Sequence, residues 1–197
     1  AVRYGTTFGF VGLYIVQPGW GGRGYGMQVW NAALARRAGR TIGLDGVVAQ
    51  QANYRKSGFA LAYRNMRYAG TSPGVGPIDA RIVPLSSRPF AEVAAYDRAF
   101  FPDDRTAFLR AWLMQPKCKA YAVVRGGGLA GYGVVRAARA GYKIGPLFAD
   151  EPDLAEALYG ALQAHVPAGA ALCLDVPEGN LAAVALAERH RLAVSFE

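Results

Sequence analysis

The sequence predicts a mixed α/β fold, with strands and helices alternating along most of its 197 residues. Three observations carry the prediction. The apolar run Leu13, Tyr14, Ile15, Val16 meets Pro18 and passes through clustered glycines into an amphipathic helical pattern. Residues 78–197 give strand, helix, helix, three strands, helix, strand, helix, strand. Between these parts, residues 70–77 are rich in Gly, Pro, Ser and Thr and form a turn-rich linker. The expected organisation is a first domain over 1–70, a linker over 71–77 and a second domain over 78–197.

In the first part, residues 13–16 are expected as a strand and 19–26 as a glycine loop. A helix then places Met27, Trp30 and Leu34 on one face. A strand that opens through glycines onto a helix N-terminus suits a phosphate. The glycines let backbone N–H groups approach an anion, and the helix dipole favours negative charge. Two familiar phosphate loops are excluded. A P-loop needs Gly-Lys followed by Ser or Thr, whereas Gly24 is followed by Tyr25. A dinucleotide fingerprint needs a third glycine where Met27 or Val29 stands. A glycine-rich loop with no ligand is the alternative. Residues 41–47 are expected as a strand, 50–57 as a short helix closed by Gly58 and Phe59, and 60–68 as the strand that closes the domain.

In the second part, residues 80–85 alternate as a strand and 91–101 form a helix that includes Val93 and Phe101. Asp104 is placed to cap a helix whose face is Phe108, Leu109, Trp112 and Leu113. Strands over 120–125 and 129–137 flank Gly126, Gly127 and Gly128, a hairpin signal. A strand over 142–148, a helix over 154–166 and a strand over 171–175 follow. Asn180 caps a helix running to about Arg189, and a last strand starts near Leu192.

The glycine segment resembles motif A of the GNAT acetyltransferases, Gln or Arg, x, x, Gly, x, Gly or Ala, entered from a strand that ends in Val-x-Pro. Val16, Pro18, Gly22, Arg23, Gly24 and Gly26 match, while Gly21 stands where the family usually has Gln or Arg. Tyr54, four residues before Gly58 and Phe59, resembles the Tyr-x-x-x-Gly-Phe segment of the same family. A tyrosine that only packs is the alternative there. The position of a common family asparagine holds Val48, which leaves Gln50 or Gln51 for its CoA contact.

The resemblance implies an N-acetyltransferase that moves an acetyl group from acetyl-CoA to a small-molecule amine acceptor by direct attack. It implies Tyr54 as the general acid toward the CoA thiolate, a phenol with a pKa of about 10 being matched to that task. It implies Tyr14, Ile15, Val16, Gly21, Gly22, Arg23, Gly24, Tyr25, Gly26, Met27 and Gln50 as acetyl-CoA contacts. A catalytically weak acyl-CoA-binding or regulatory protein is the alternative, favoured by Gly21 and Val48. Against the family's element order, the chain reads as tandem GNAT-like folds, the first lacking its N-terminal part. The Leu-Asp steps at Leu44-Asp45 and Leu174-Asp175 are a weak internal echo. The second repeat has Asp150, Glu151 and Asp153 where its phosphate loop belongs, and Leu186 where its tyrosine belongs. Carboxylates there favour a helix N-terminus but repel a pyrophosphate, so only the first repeat is expected to hold CoA.

Composition limits the other classes. The chain is 52% hydrophobic with a formal net charge of +8, but no Lys/Arg run exceeds two, so the charge suits an anionic cofactor better than nucleic acid. Cys118 and Cys173 are too few for a disulfide framework, and with His165 and His190 they give no zinc spacing, so no metal is expected. No apolar stretch reaches membrane-spanning length. A cytoplasmic setting, without nucleic-acid or membrane partners, is the expectation. No general base is assigned: residues 1–40 hold no carboxylate, and Asp45 beside Gly46 reads first as a strand-end turn residue. Arg64 and Arg67 are expected to face solvent.

Overall fold

The computed structural model describes residues 1–36 and 39–197. The chain forms two compact units, Ala1–Phe59 with Phe101–Arg105, and Ala60–Phe100 with Thr106–Glu197.

The first unit is a three-stranded sheet with a crossover helix. Strands β1 (Val2–Tyr4) and β2 (Phe8–Val11) pair antiparallel. Helix α1 (Tyr25–Ala35) returns the chain to β3 (Thr41–Leu44), which lies parallel to β2 in the register Phe8↔Thr41 to Val11↔Leu44. A parallel pair needs such a crossover. The β1–β2 turn closes on Asp103, whose carboxylate accepts from Thr7 N at 2.7 Å, Thr7 Oγ1 at 2.8 Å and Phe8 N at 3.1 Å. These bonds, the one from the Thr7 backbone foremost, hold the carboxyl well below the usual carboxylate range. Gly5 is obligatory there: its φ is +43°, and a Cβ would lie 2.0 Å from Asp103 Oδ1. A 3-10 turn over Val48–Gln50 leads into α2 (Gln51–Lys56).

Two expectations for this unit are corrected. The strand expected over 13–16 lies earlier, at Phe8–Val11. Leu13 takes a left-handed φ of +54° and is 94% exposed, which a continuing strand forbids. The face that carries Met27 and Trp30 is buried only at Trp30, 6% exposed, while Met27 is 60% exposed.

The second unit is built on a seven-stranded sheet in the order β10-β4-β9-β8-β7-β6-β5. Its strands are β4 (Asn65–Thr71), β5 (Ile82–Pro84), β6 (Cys118–Arg125), β7 (Gly128–Ala137), β8 (Tyr142–Ala149), β9 (Ala171–Pro177) and β10 (Ala193–Phe196). Helices α3 (Phe90–Asp97), α4 (Thr106–Leu113), α5 (Pro152–Ala164) and α6 (Leu181–Arg189) complete it. From β5 onward the element order is the expected one. Strand alternation separates two cores. Ala122 and Val134 pack with Leu85, Val93 of α3 and Leu109 of α4. Their chain neighbours point the other way, Val123 toward Leu154 and Leu158 of α5, and Val135 toward Tyr159 and Leu162 of α5 and Leu186 of α6.

The strand expected over 60–68 to close the first domain is at Asn65–Thr71 and belongs to this sheet. It pairs antiparallel with β9 from Asn65↔Pro177 to Thr71↔Ala171, and with β10 on its other side. The start of the expected linker is therefore part of this unit's structure: Gly70 and Thr71 are strand, and Ser72, 2% exposed, donates through Oγ to the Val166 carbonyl at 3.1 Å, while residues 73–77 lie in no helix or strand. The helix expected over 91–101 ends at Asp97, followed by a 3-10 turn over Arg98–Phe100. Neither arginine of the 60–68 segment is simply solvated. Arg67 makes a bidentate pair with Asp175 at 2.8 and 3.1 Å, and Arg64 pairs with Glu197 at 2.6 Å.

Candidate active site

The first unit's crossover makes the candidate site. After Val11↔Leu44 the strands β2 and β3 part, and residues 12–24 run as a loop to α1. Gly19, Gly22 and Gly24 of this loop have φ of +84°, +75° and +81°, conformations that only glycine adopts without strain. Gly24 is the N-cap of α1. No side chain caps this end and the first turn carries no acid, so the leading N–H groups and the positive end of the helix dipole remain for an anion. Arg23 lies over the Trp20 ring at 5.3 Å, and Trp20 packs on Tyr25 at 5.5 Å, which keeps a cation within the loop. Gly26 allows a close approach: a Cβ would lie 2.6 Å from Tyr14 Oη and 3.0 Å from Val16 Cγ2.

A cavity of about 530 Å³ opens where β2 and β3 separate. Its walls are Val11 to Ile15, Leu44 at the end of β3 with Asp45 and Val47 beyond it, Met27 and Trp30 of α1, and Gln50, Asn53, Tyr54, Lys56 and Ser57 on and beside α2. Trp30 is the centre of the wall, with ring centroids 5.3 Å from Tyr14, 5.9 Å from Tyr54 and 5.7 Å from Phe59. Its Nε1 donates to Ser57 Oγ at 3.1 Å.

The local sequence explains how Tyr54 is held. Helix α2 ends with Gly58 at φ +86°, the Gly58 N–H donating to the Arg55 carbonyl at 3.0 Å and the Phe59 N–H to the Tyr54 carbonyl at 3.1 Å. That is a Schellman cap, in which the glycine supplies the left-handed residue and the next residue packs back on the helix. The Tyr-x-x-x-Gly-Phe spacing is thus the spacing of a cap that fixes the tyrosine's turn. Gly46 makes room on the other side, since a Cβ there would lie 2.4 Å from Tyr54 Cε2.

Of the residues anticipated from sequence, the cavity brings together Tyr14, Ile15, Met27, Gln50 and Tyr54. Gly21, Gly22, Arg23, Gly24, Tyr25 and Gly26 stand outside its walls on the loop and first turn, and Val16 is half-buried against Gly26. Sequence reasoning passed over Asn53, Lys56 and Ser57. A signal existed: Gln50, Asn53, Tyr54 and Ser57 follow the three- and four-residue spacing of one helix face. Asn53 Nδ2 donates to Gln50 Oε1 at 2.7 Å along it.

The second unit repeats the strand–helix–strand step without the loop. Strands β8 and β9 are parallel from Tyr142↔Leu172 to Ile144↔Leu174 and pair no further. Only Asp150 and Glu151 separate β8 from α5, whose N-cap is Glu151 and whose first residue is Pro152. Asp150 Oδ1 accepts from Tyr96 Oη at 2.8 Å, Glu151 pairs with Arg125 at 2.6 Å, and Asp153 pairs with Arg81 at 2.8 Å. Hydrogen bonding to Arg81 lowers the Asp153 pKa. Burial, then Asp150, push the Tyr96 phenol up. Leu186 is core, 2% exposed. Among the described residues no group of three or more His, Cys, Asp or Glu is placed to hold a metal, and no helix is long and apolar enough to cross a membrane.

Comparison with known proteins fits this geometry. The family model described as an acetyltransferase (GNAT) domain matches residues 93–197. A holothin acyltransferase from a Pseudoalteromonas strain is 28% identical over 180 residues, which cover 91% of this chain and 61% of that protein. The crystal structure of a protein assigned as an acetyltransferase, from Pyrococcus horikoshii, superposes with a TM-score of 0.82 at 24% identity, over 98% of this chain and 64% of that one. A GCN5-related N-acetyltransferase from Kribbella flavida gives a TM-score of 0.59 at 14% identity, over 98% of this chain and 50% of that one. The chain therefore spans about three fifths of the length of the curated relative it matches. Its matched region, element order and fold place it in one family: the chain belongs to the GNAT acetyltransferases.

Proposed function

We propose that the first unit holds acetyl-CoA and that the chain is part of an N-acetyltransferase acting on a small amine by direct attack. The observation that carries this reading is the cavity at the parting of β2 and β3, with an uncapped, glycine-led helix N-terminus on the loop and Tyr54 in its wall. The loop amides of Gly22 to Gly26 and the Arg23 guanidinium take the pyrophosphate. The opening past the ends of β2 and β3 takes the pantetheine arm, along the loop residues Tyr14 to Val16. Tyr54 gives its proton to the departing thiolate. The holothin acyltransferase, by its name, supports acyl transfer.

The second unit has acids engaged by Arg81, Tyr96 and Arg125 in place of a phosphate loop, so on this reading the chain binds one CoA. Two GNAT-like repeats remain our reading of the organisation, with a cytoplasmic setting and no nucleic-acid or membrane partner.

The test is thermal unfolding with and without acetyl-CoA, beside Gly24→Glu. Ligand at 100 times its dissociation constant stabilises by about 2.7 kcal/mol, or on the order of 5 °C for a chain of this size. We expect that shift in the wild type and none in the variant, where a carboxylate and a Cβ at positive φ replace the glycine. No shift in the wild type overturns the reading.

A further inference from the structure

We infer that Lys56 receives a carboxylate of the acceptor, so that the amine acetylated at this site belongs to an amino acid. The inference rests on the acyl-transfer reading above and names the acceptor class which that reading leaves open.

The sides of the cavity differ in chemistry. Leu13, Ile15, Met27 and Leu44 give it apolar walls, while α2 and its flanks bring Gln50, Asn53, Tyr54, Lys56 and Ser57. Most of this polar side is already engaged. Gln50 Oε1 accepts from Asn53 Nδ2 at 2.7 Å, and Ser57 Oγ accepts from Trp30 Nε1 at 3.1 Å. Among the described residues, neither the Tyr54 hydroxyl nor the Lys56 ammonium has a hydrogen bond or ion pair within the protein. Of the described residues that line the cavity, Lys56 alone is a Lys or Arg. Its position is fixed at the backbone. Helix α2 ends at Lys56, and the cap that holds the Tyr54 turn closes around it, through Gly58 N–H to the Arg55 carbonyl and Phe59 N–H to the Tyr54 carbonyl.

The cofactor does not account for this cation. On the acyl-transfer reading the pyrophosphate lies at Gly22 to Gly26 and the thioester at Tyr54, with the uncharged pantetheine arm between them. Lys56 belongs to the Tyr54 end, where the acyl donor carries no charge. The only other reactant there is the acceptor. A lysine at that end repels the ammonium of a plain alkylamine and attracts a carboxylate. An ammonium and a carboxylate form a charge-assisted hydrogen bond, stronger than a neutral one. An acceptor that carries both groups can seat its carboxylate on Lys56 and turn its amine toward the thioester. The cation thus selects amino acids over simple amines, and Lys56 acts as a specificity residue.

The experiment measures thiol release from acetyl-CoA with a panel of α- and ω-amino acids, each beside its carboxamide, for wild type, Lys56→Gln, Lys56→Arg and Lys56→Glu. The carboxamide keeps the amine and removes the negative charge. We expect the best amino acid to exceed its carboxamide by about tenfold or more in kcat/KM, with the difference in KM. Lys56→Gln should reduce that ratio about 10-fold to 100-fold, as for loss of a hydrogen bond to a charged group. Lys56→Arg should keep most of the ratio, Lys56→Glu should favour the carboxamide, and the acetyl-CoA thermal shift should be equal in all four. Four results overturn the inference: carboxamides used as well as amino acids by the wild type, a ratio unchanged in Lys56→Gln, a normal cofactor shift with no amino acid turned over, or a cofactor shift that falls in Lys56→Gln, which assigns the ammonium to CoA. Absence of the cofactor shift in the wild type instead removes the acyl-CoA reading, and this inference with it.

Discussion

The two parallel strand–helix–strand steps of this chain differ most in one connection. In the first unit residues 12–24 join β2 to α1, with glycines at positive φ and a bare helix end. In the second unit Asp150 and Glu151 alone join β8 to α5, with Pro152 and Asp153 completing an acid-rich helix start. A helix N-terminus has positive potential in either case. The first arrangement leaves it for a ligand. The second places the chain's own acids there, Glu151 at the N-cap and Asp153 in the first turn, and pairs them with Arg125 and Arg81. On the proposed function, the same scaffold yields a binding step and a stabilising step, according to the connection.

Four substitutions probe this division of labour. The strongest effect is expected in the second unit's core. Leu162→Ala, at a fully buried site between α5 and the sheet, should cost about 2–5 kcal/mol by denaturant melt. If the units divide labour as proposed, the acetyl-CoA shift of the molecules still folded should persist. Next, Tyr54→Phe should lower turnover about 100-fold with the cofactor shift unchanged; unchanged turnover would make the tyrosine a packing residue. Gly46→Ala, which forces the Tyr54 ring aside, should lower turnover about tenfold and leave cofactor affinity nearly intact.

The weakest effect concerns Asp175. Burial opposes its ionisation, but the bonds from Arg67 and Lys143 prevail and its pKa is lowered. A carboxyl with a depressed folded pKa contributes stability above its unfolded pKa of about 4, and loses it as pH falls through the folded value. Asp175→Asn should therefore cost about 1 kcal/mol at neutral pH, and its melting point should converge on wild type in acid. A difference that persists undiminished below about pH 3 would place the contribution in packing rather than charge.

The sequence showed some of this clearly. From β5 to β10 each element announces itself by period or by punctuation, as at Gly126 to Gly128 and Asn180, and these are local signals. The glycine loop was legible because Gly19, Gly22 and Gly24 mark left-handed backbone. What failed was long-range. Leu13 to Val16 have a strand's composition, but pairing is decided by Phe8 to Val11 lying beside Thr41 to Leu44, and Leu13 turns out of register. Strand β4 was expected to close the first domain because nothing in Asn65 to Thr71 names its partners, β9 and β10, which lie far downstream in the chain. The Leu-Asp steps at Asp45 and Asp175 look alike in sequence, but Asp45 follows the end of β3 whereas Asp175 lies within β9.

The position of β4 has a practical consequence. It is a donor strand, seven residues from the N-terminal side of the glycine–proline stretch filling a slot between β9 and β10. A gene split after Ser72 would leave the downstream product with an open groove in its sheet and the upstream product with an unpaired, aggregation-prone strand. Co-expressed, the two pieces carry the register needed to reassemble by strand complementation, which makes this stretch a natural seam for a split reporter.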